Sequence, residues 1–173
     1  MDEKTSKETS SERSNKQLDG LSVDWELANA SAAEWARLYG SNLVNNITGT
    51  TLTRLQNEIA AFIENGENMG QLRARLEPLF GPERADLIAS TEVTRAYAEG
   101  NMTAWRESGI IQRREWRTNN DEIVAECPIC FPMNGVQAGM DEPFEHPTRG
   151  AIEIPGHPRC RCWLVPVVEP PEL

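Results

Sequence analysis

Cys127-Pro-Ile-Cys130 and His157-Pro-Arg-Cys160-Arg-Cys162 form the stretch on which the reading of this chain turns. All four cysteines of the 173-residue chain lie here, with one of its two histidines. Zinc takes about four N or S ligands in a tetrahedron, and a pair separated by two residues supplies two of them from one tight turn. Pro128 and Pro158 fix φ inside the two pairs, which suits knuckle turns. The spacing predicts a structural zinc site built from four of Cys127, Cys130, His157, Cys160 and Cys162. Cys162 is the alternative to His157 or Cys160, because in an extended strand it would face the same side as Cys160. His146 reads as a loop residue. A catalytic zinc is disfavoured, since thiolate-rich sites are usually closed, and Arg159 stands where zinc deaminases place the Glu of H-x-E.

Metal also answers an energetic need. Residues 119–161 hold few large apolar side chains and many Pro, Gly, Glu and Asp. A structural zinc contributes an apparent ~10–16 kcal/mol in small modules. Reduced cytosolic thiols favour ligation over disulfides, which an even count of cysteines would otherwise permit.

Hydrophobic residues make up 39% of the chain and the net charge is −10, which argues against non-specific coating of nucleic acid. The charge is uneven: residues 72–118 carry 8 arginines against 7 acids, and residues 119–173 carry 3 arginines against 9 acids. Met1-Asp2-Glu3-Lys4 opens no signal peptide, and no stretch approaches the ~20 apolar residues of a membrane span. The expected setting is the cytosol, or a particle assembled there.

The fold class predicted is α+β: a helical N-terminal bundle with one long helix, followed by a small zinc-stapled hairpin or ribbon-like module. Residues 1–17 are polar and are expected to be disordered. Residues 18–81 read as helical. Trp25 to Tyr39 fit one or two short helices, with Ser31 and Glu34 as a capping box. Thr48 to Thr51 offer caps for a helix through Leu52, Leu55, Ile59, Phe62 and Ile63, ended by Asn65-Gly66. Leu72, Leu76, Leu79 and Phe80 mark another, stopped at Gly81. Pro82 then suits the first position of the longest helix, residues 82–108, with Gly109 past its end. Ala85, Ala89, Val93, Ala96, Gly100 and Ala104 make a small-residue stripe that admits a close neighbour. Glu92, Arg95 and Glu99 stack beside it. Residues 110–117 read as a strand, Asn119 to Asp121 as a turn, and Met133 to Val136 as a hairpin turn. Ala151 to Pro155 is a short strand, and Pro166 makes Trp163 to Val168 an edge strand. Residues 169–173 are expected to fray.

Ala89-Ser-Thr91-Glu92-Val-Thr-Arg95-Ala-Tyr-Ala-Glu-Gly100 resembles the A-R-T-E-T-x-R-A-Y-x-x-G segment of the Mu F-like, or minor head morphogenesis, proteins of tailed bacteriophages. The ending His157-Pro-Arg-Cys160-Arg-Cys162 through Pro166 resembles their H-P-N-C-R-C-x-x-x-P. The similar region covers about residues 82–168. Ser90 departs from the family's usual arginine and Arg159 from its asparagine. The resemblance implies a minor protein inside the capsid, assembled in the host cytoplasm. Its expected role is head morphogenesis and DNA packaging or ejection, with portal and other head proteins, and packaged DNA, as partners. It also implies a network of Thr91, Glu92, Arg95, Trp116, Asp121 and Glu122 that joins the long helix to the zinc module. No toxin or enzyme domain is expected after Cys162.

The chain is not expected to be an enzyme. Two alternatives carry specific residues. Glu92, Asp121 or Glu122 could act as acid or base beside Arg95 if burial shifts a pKa toward neutral. Alternatively, Arg113, Arg114, Arg117, Arg159 and Arg161 could form a basic face beside Trp116 and Trp163, making a zinc-ribbon adaptor for nucleic acid.

Overall fold

The computed structural model describes residues 24–41, 44–119 and 121–168. The expectations for residues 1–17 and 169–173 lie outside that range. The fold is α+β, with four helices in the first part, α1 (Trp25–Leu38), α2 (Gly49–Glu64), α3 (Met69–Phe80) and α4 (Pro82–Ser108). There follow β1 (Arg113–Arg117), a one-turn helix α5 (Glu122–Ala125), a 3-10 turn (Phe131–Met133), β2 (Gln137–Gly139), β3 (Phe144–His146), β4 (Gly150–Ile152) and β5 (Trp163–Val167).

Local chemistry sets the helix ends. The Asp24 carboxylate accepts from Leu27 N at 3.0 Å and caps α1. The helix runs unbroken through Ser31, so the expected capping box there is not used. Alanines on both sides of Ser31 favour continuation, and Asp24 already satisfies the first turn. Thr48 caps α2 through Thr51 N. Asn68 and Gln71 form a reciprocal capping box on α3. Gly81 (φ 76°) separates α3 from α4, and Pro82 takes the first helical position. Gly109 (φ 66°) ends α4 in the left-handed conformation.

Two apolar cores share α4. Its first two thirds contribute Ala85, Ile88, Ala89, Val93 and Ala96 to a core with Ala32, Ala36, Leu55, Ile59, Leu72 and Leu76. Its C-terminal part, from Ala98 on, contributes Ala98, Met102 and Trp105 to a second core with Trp116, Met133, Phe144, Ile154 and Leu164. The small-residue stripe admits α1. A Cβ on Gly100 would stand 2.4 Å from the Ala28 carbonyl oxygen and 2.5 Å from the Ala32 Cβ.

β1 is the centre of a three-stranded antiparallel sheet of order β2-β1-β5, so β5 is an edge strand, as Pro166 requires. Arg114 pairs with Ala138 on one side and Pro166 on the other. β3 and β4 form a separate antiparallel pair, Phe144 opposite Ile152. Gly135 (φ 83°) turns the chain into β2, whose ladder partner is β1 rather than the residues just before it. The expected hairpin at Met133 to Val136 is therefore a corner after the 3-10 turn. The second core closes on one face of β1. Trp116 meets the Phe144 ring edge-on, centroids 5.4 Å apart, and the Arg114 guanidinium lies 4.7 Å above that ring's centroid. Arg114 also forks onto the Glu153 carboxylate at 2.6 and 2.7 Å. Among the described residues no helix is long and apolar enough to cross a membrane.

Gly100→Ala tests the contact between α4 and α1. Alanine raises helix propensity by ~1 kcal/mol, but overpacking against a backbone carbonyl costs about 1–3 kcal/mol, which leaves a net loss of up to about 2 kcal/mol. A lower urea midpoint is the expected outcome. An unchanged or higher midpoint would mean that α1 does not approach this closely.

Candidate metal centre

The five predicted donors come together. The ligand atoms of Cys127, Cys130 and His157 lie within 4.8 Å of one another, as do those of Cys130, Cys160 and Cys162. Cys130 belongs to both groups and is the hub. Its Sγ stands 3.0 Å from His157 Nε2 and 3.9 Å from Cys160 Sγ, and Cys127 Sγ is 3.4 Å from the same Nε2. Two thiolates on one tetrahedral zinc would be about 3.8 Å apart, and a thiolate and an imidazole nitrogen about 3.5 Å, from ordinary bond lengths. All four cysteines are free thiols, so disulfides do not hold this region. The donor set can hold a metal ion.

The knuckles are built by local and long-range hydrogen bonds. Cys130 N donates to Cys127 Sγ at 3.4 Å, and Cys160 N to the His157 carbonyl at 3.1 Å. His157 Nδ1 lies 2.7 Å from the Pro158 carbonyl, which can only accept. The proton therefore sits on Nδ1, and the Nε2 lone pair faces the sulfurs, the tautomer a metal needs. Two threonines of α4 then fix the second knuckle. Thr94 Oγ1 donates to the Cys160 carbonyl at 3.0 Å, and Arg159 N donates to Thr91 Oγ1 at 3.0 Å.

His146 is not a loop residue outside the structure's logic. It lies buried in β3, outside the donor cluster. Its Nδ1 accepts from Thr148 N at 3.1 Å, so Nε2 carries the proton and donates to the Pro128 carbonyl at 3.3 Å. It braces the first knuckle from behind. Nothing in the spacing of His146 announced this; only the fold of β3 against the knuckle does.

Charge in the buried sulfur group is shared. Hydrogen bonds from Cys130 and then Cys162 hold Cys160 down to about 2, as a thiolate. Cys130 is pushed far up by Cys160, then Cys162, and by burial. At Cys162 the Cys130 thiol pulls down, but Cys160 and burial outweigh it and the thiol ends at about 12. The Trp116 indole N–H has no hydrogen bond of ordinary length, yet it favours the Cys162 thiolate. Three sulfurs this close accept one negative charge among them, and further ionisation requires a cation in their midst.

The six residues of the implied network are not brought into one assembly. Thr91 does bind the knuckle. Glu92, 3% exposed, turns to the other side, accepting from Ser41 N at 2.7 Å and from Arg95 Nη1 at 2.6 Å. It ties α4 to the α1–α2 connection rather than to the cysteines. Trp116 belongs to the second core. Asp121 caps α5 through Val124 N at 3.0 Å and pairs with Arg161 at 2.7 Å. Glu122 is exposed in the first turn of α5. Glu99, further along α4, is held above its usual carboxylate range, chiefly by burial and against the pull of Arg106.

These residues sit in a recognisable family pattern. A family model described as "Phage Mu protein F like protein" matches residues 53–165. That is well over half of the chain. The chain belongs to the phage Mu protein F-like family. The match begins inside α2, well ahead of the segment whose residues carry the resemblance. A curated relative, "Uncharacterized protein YqbB" of Bacillus subtilis (strain 168), is 24% identical over 160 residues, covering 85% of this chain and 52% of that protein. The chain therefore spans about half the length of the relative. No solved structure matches. The backbone makes one departure from the Mu F-like ending a strained one. Arg159 has φ 63°, a left-handed conformation that asparagine tolerates better than arginine.

Two outcomes follow. Arg159→Asn should keep or raise the denaturation midpoint, whereas Arg159→Val should lower stability by roughly 1–2 kcal/mol, the cost of a poorly tolerated left-handed residue. Glu99→Gln should stabilise the protein at neutral pH. A carboxyl with a raised folded pKa favours folding only while protonated, and that contribution is lost as pH rises through the folded value. The advantage of the amide should shrink as pH falls through the raised folded value and be gone below the usual carboxylate range, in urea melts run across pH.

Proposed function

We propose that this chain is a structural component of a phage head that takes part in head morphogenesis, and that its C-terminal module is stapled by one zinc ion. The observation that carries the reading is the seating of the five-donor cluster on α4 through Thr91 and Thr94, on the very helix that bears the family's T-E-x-x-R segment. The ligands are four of Cys127, Cys130, His157, Cys160 and Cys162. Cys130 is common to both triads, and Cys162, buried and grouped with Cys130 and Cys160, stands as the alternative to His157 or Cys160. Residues 82–168 act as the Mu F-like unit, and the helices before them as its platform. The portal and other head proteins are the proposed partners, and the interior of the virion the proposed location. A role in DNA packaging or ejection follows from that placement.

The geometry favours this over both alternatives. Glu92 does stand beside Arg95, but both its oxygens are engaged, by Ser41 N and by that guanidinium, while Asp121 pairs with Arg161 and Glu122 lies exposed on α5, so the acid–base reading rests on one committed carboxylate. Arg114, Arg117, Arg159 and Arg161 each face a carboxylate, Glu153, Glu115, Asp86 and Asp121 respectively. A basic face for nucleic acid would have to break these pairs. Trp116, its proposed stacking partner, is fully buried.

Elemental mass spectrometry of the purified protein should find about one zinc per chain, as for a closed site. Cys130→Ala should release it and melt the β-rich module, and the single changes His157→Ala, Cys160→Ala and Cys162→Ala should name the remaining ligands by which of them lose it. Co-expression with the portal protein should give a complex that survives gel filtration. A metal-free chain with four reactive thiols and native spectra would end the zinc reading. Failure to join portal or procapsid would end the assembly reading.

A further inference from the structure

The last turns of α4 close a cavity of about 230 Å³ against β5 and the segments that follow β2 and β4. Glu99, Met102 and Arg106, at i, i+3 and i+7, line it from one face of the helix. Met140, Ile154 and Leu164 line it from the other side. Three carboxylates and two guanidiniums reach the lining, which leaves one negative charge in excess. The arginines are already committed. Arg106 donates from Nε and Nη2 to Asp141 Oδ1 at 3.1 and 3.0 Å, and Arg114 forks onto Glu153. Glu99 is left over. Among the described residues its carboxylate has no hydrogen-bond or ion-pair partner, and Arg106 and Arg114 act on it only at a distance. Burial holds it above the usual carboxylate range, against the pull of Arg106 and with Glu153 adding to the rise.

This lining discriminates between kinds of occupant. An anion would add to an excess of negative charge. A purely apolar group would suit the walls but leave the half-buried Glu99 carboxylate further desolvated and still unpaired. A hard divalent cation takes about six to eight oxygen ligands, and Glu99 is the one carboxylate here without a partner. An alkylammonium answers each feature, since its stem can lie on apolar walls while its head donates to a carboxylate. The cavity is smaller than the ~300–1,000 Å³ of pockets for drug-sized ligands, which suits a group of side-chain size. We propose that this cavity binds a primary alkylammonium group, with the ammonium on Glu99 and the alkyl stem against Met102, Met140 and Leu164. The group is supplied either by a lysine side chain of another protein or by a free alkyl diamine, which present the same chemistry. Such a role gives a reason for a carboxylate that costs the fold stability, as binding residues often do. The inference stands apart from the zinc and assembly readings and does not use them.

The test is methyl NMR of the full chain as purified, labelled with ¹³C at the methionine methyls, because Met102 and Met140 line the cavity and Met69 lies in the other core. The probes are N-acetyl-lysine methylamide, 1,5-diaminopentane and, as the uncharged copy of the first, N-acetyl-norleucine methylamide. The expected result is saturable shifts of the Met102 and Met140 methyls with an amine, while Met69 stays in place. Binding should be at least about tenfold weaker for the norleucine copy and for the Glu99→Gln variant, which is about 1.4 kcal/mol. Tighter binding of the blocked lysine names a protein side chain as the source, and tighter binding of the diamine names a free amine. Absence of shifts with both amines at millimolar concentration would overturn the proposal, as would equal binding of the norleucine copy or undiminished binding to Glu99→Gln. The norleucine comparison needs no substitution, so it decides independently of how the variant folds.

Discussion

One helix has to serve two cores, and that constraint organises the protein. α4 is 27 residues long, about 40 Å at 1.5 Å per residue. Neither core is large. The helical one closes on alanines and a handful of Leu, Ile and Phe side chains, and the second is built around two tryptophans, Phe144 and Met133. Small residues on α4 bring α1 close enough for backbone to meet side chain at Gly100. Thr91 and Thr94 on the same helix hold the knuckle. Removing either face of α4 would leave the other part without its support.

Polar side chains take over where apolar ones are scarce. Around β1 the guanidinium of Arg114 fills a place that a larger core would give to a hydrocarbon. It is almost fully buried, stacked on Phe144 and forked onto Glu153, so its charge is met as it is desolvated. Lysine could neither stack nor fork there. The cysteine cluster stands in the same relation to the loops of the module: directional bonds to a few atoms substitute for area.

Much of this was legible in the sequence. The ends of α4 were marked by Gly81-Pro82 and Gly109, the close helix approach by the small-residue stripe, the edge strand by Pro166, and the donor set by the spacing of its pairs. Three kinds of feature were not. The start of α1 competed between Asp24 and Ser31, and both are good caps; the alanines on either side of Ser31 decide for Asp24. The Asn68–Gln71 box had a readable signal in its three-residue spacing, beside the stronger apolar periodicity around Leu72. The direction in which Glu92 turns had no signal at all. Helical periodicity places Glu92, Arg95 and Glu99 on one face, but what stands opposite that face depends on how the α1–α2 connection returns, which is a property of the whole fold. His146 likewise became a brace only because β3 packs behind the first knuckle.

The dual service of α4 also bears on how such chains can change length over evolution. One residue inserted between Ala96 and Trp105 would rotate everything beyond it by about 100°. The face that packs into the second core would then no longer be in phase with the face that packs against α1. Only steps close to whole turns preserve both, so drift by single insertions is confined to the connections, such as those on either side of α5. The helix acts as a phase-locked shaft, and divergence in this family should be recorded as substitutions along it and as length changes around it.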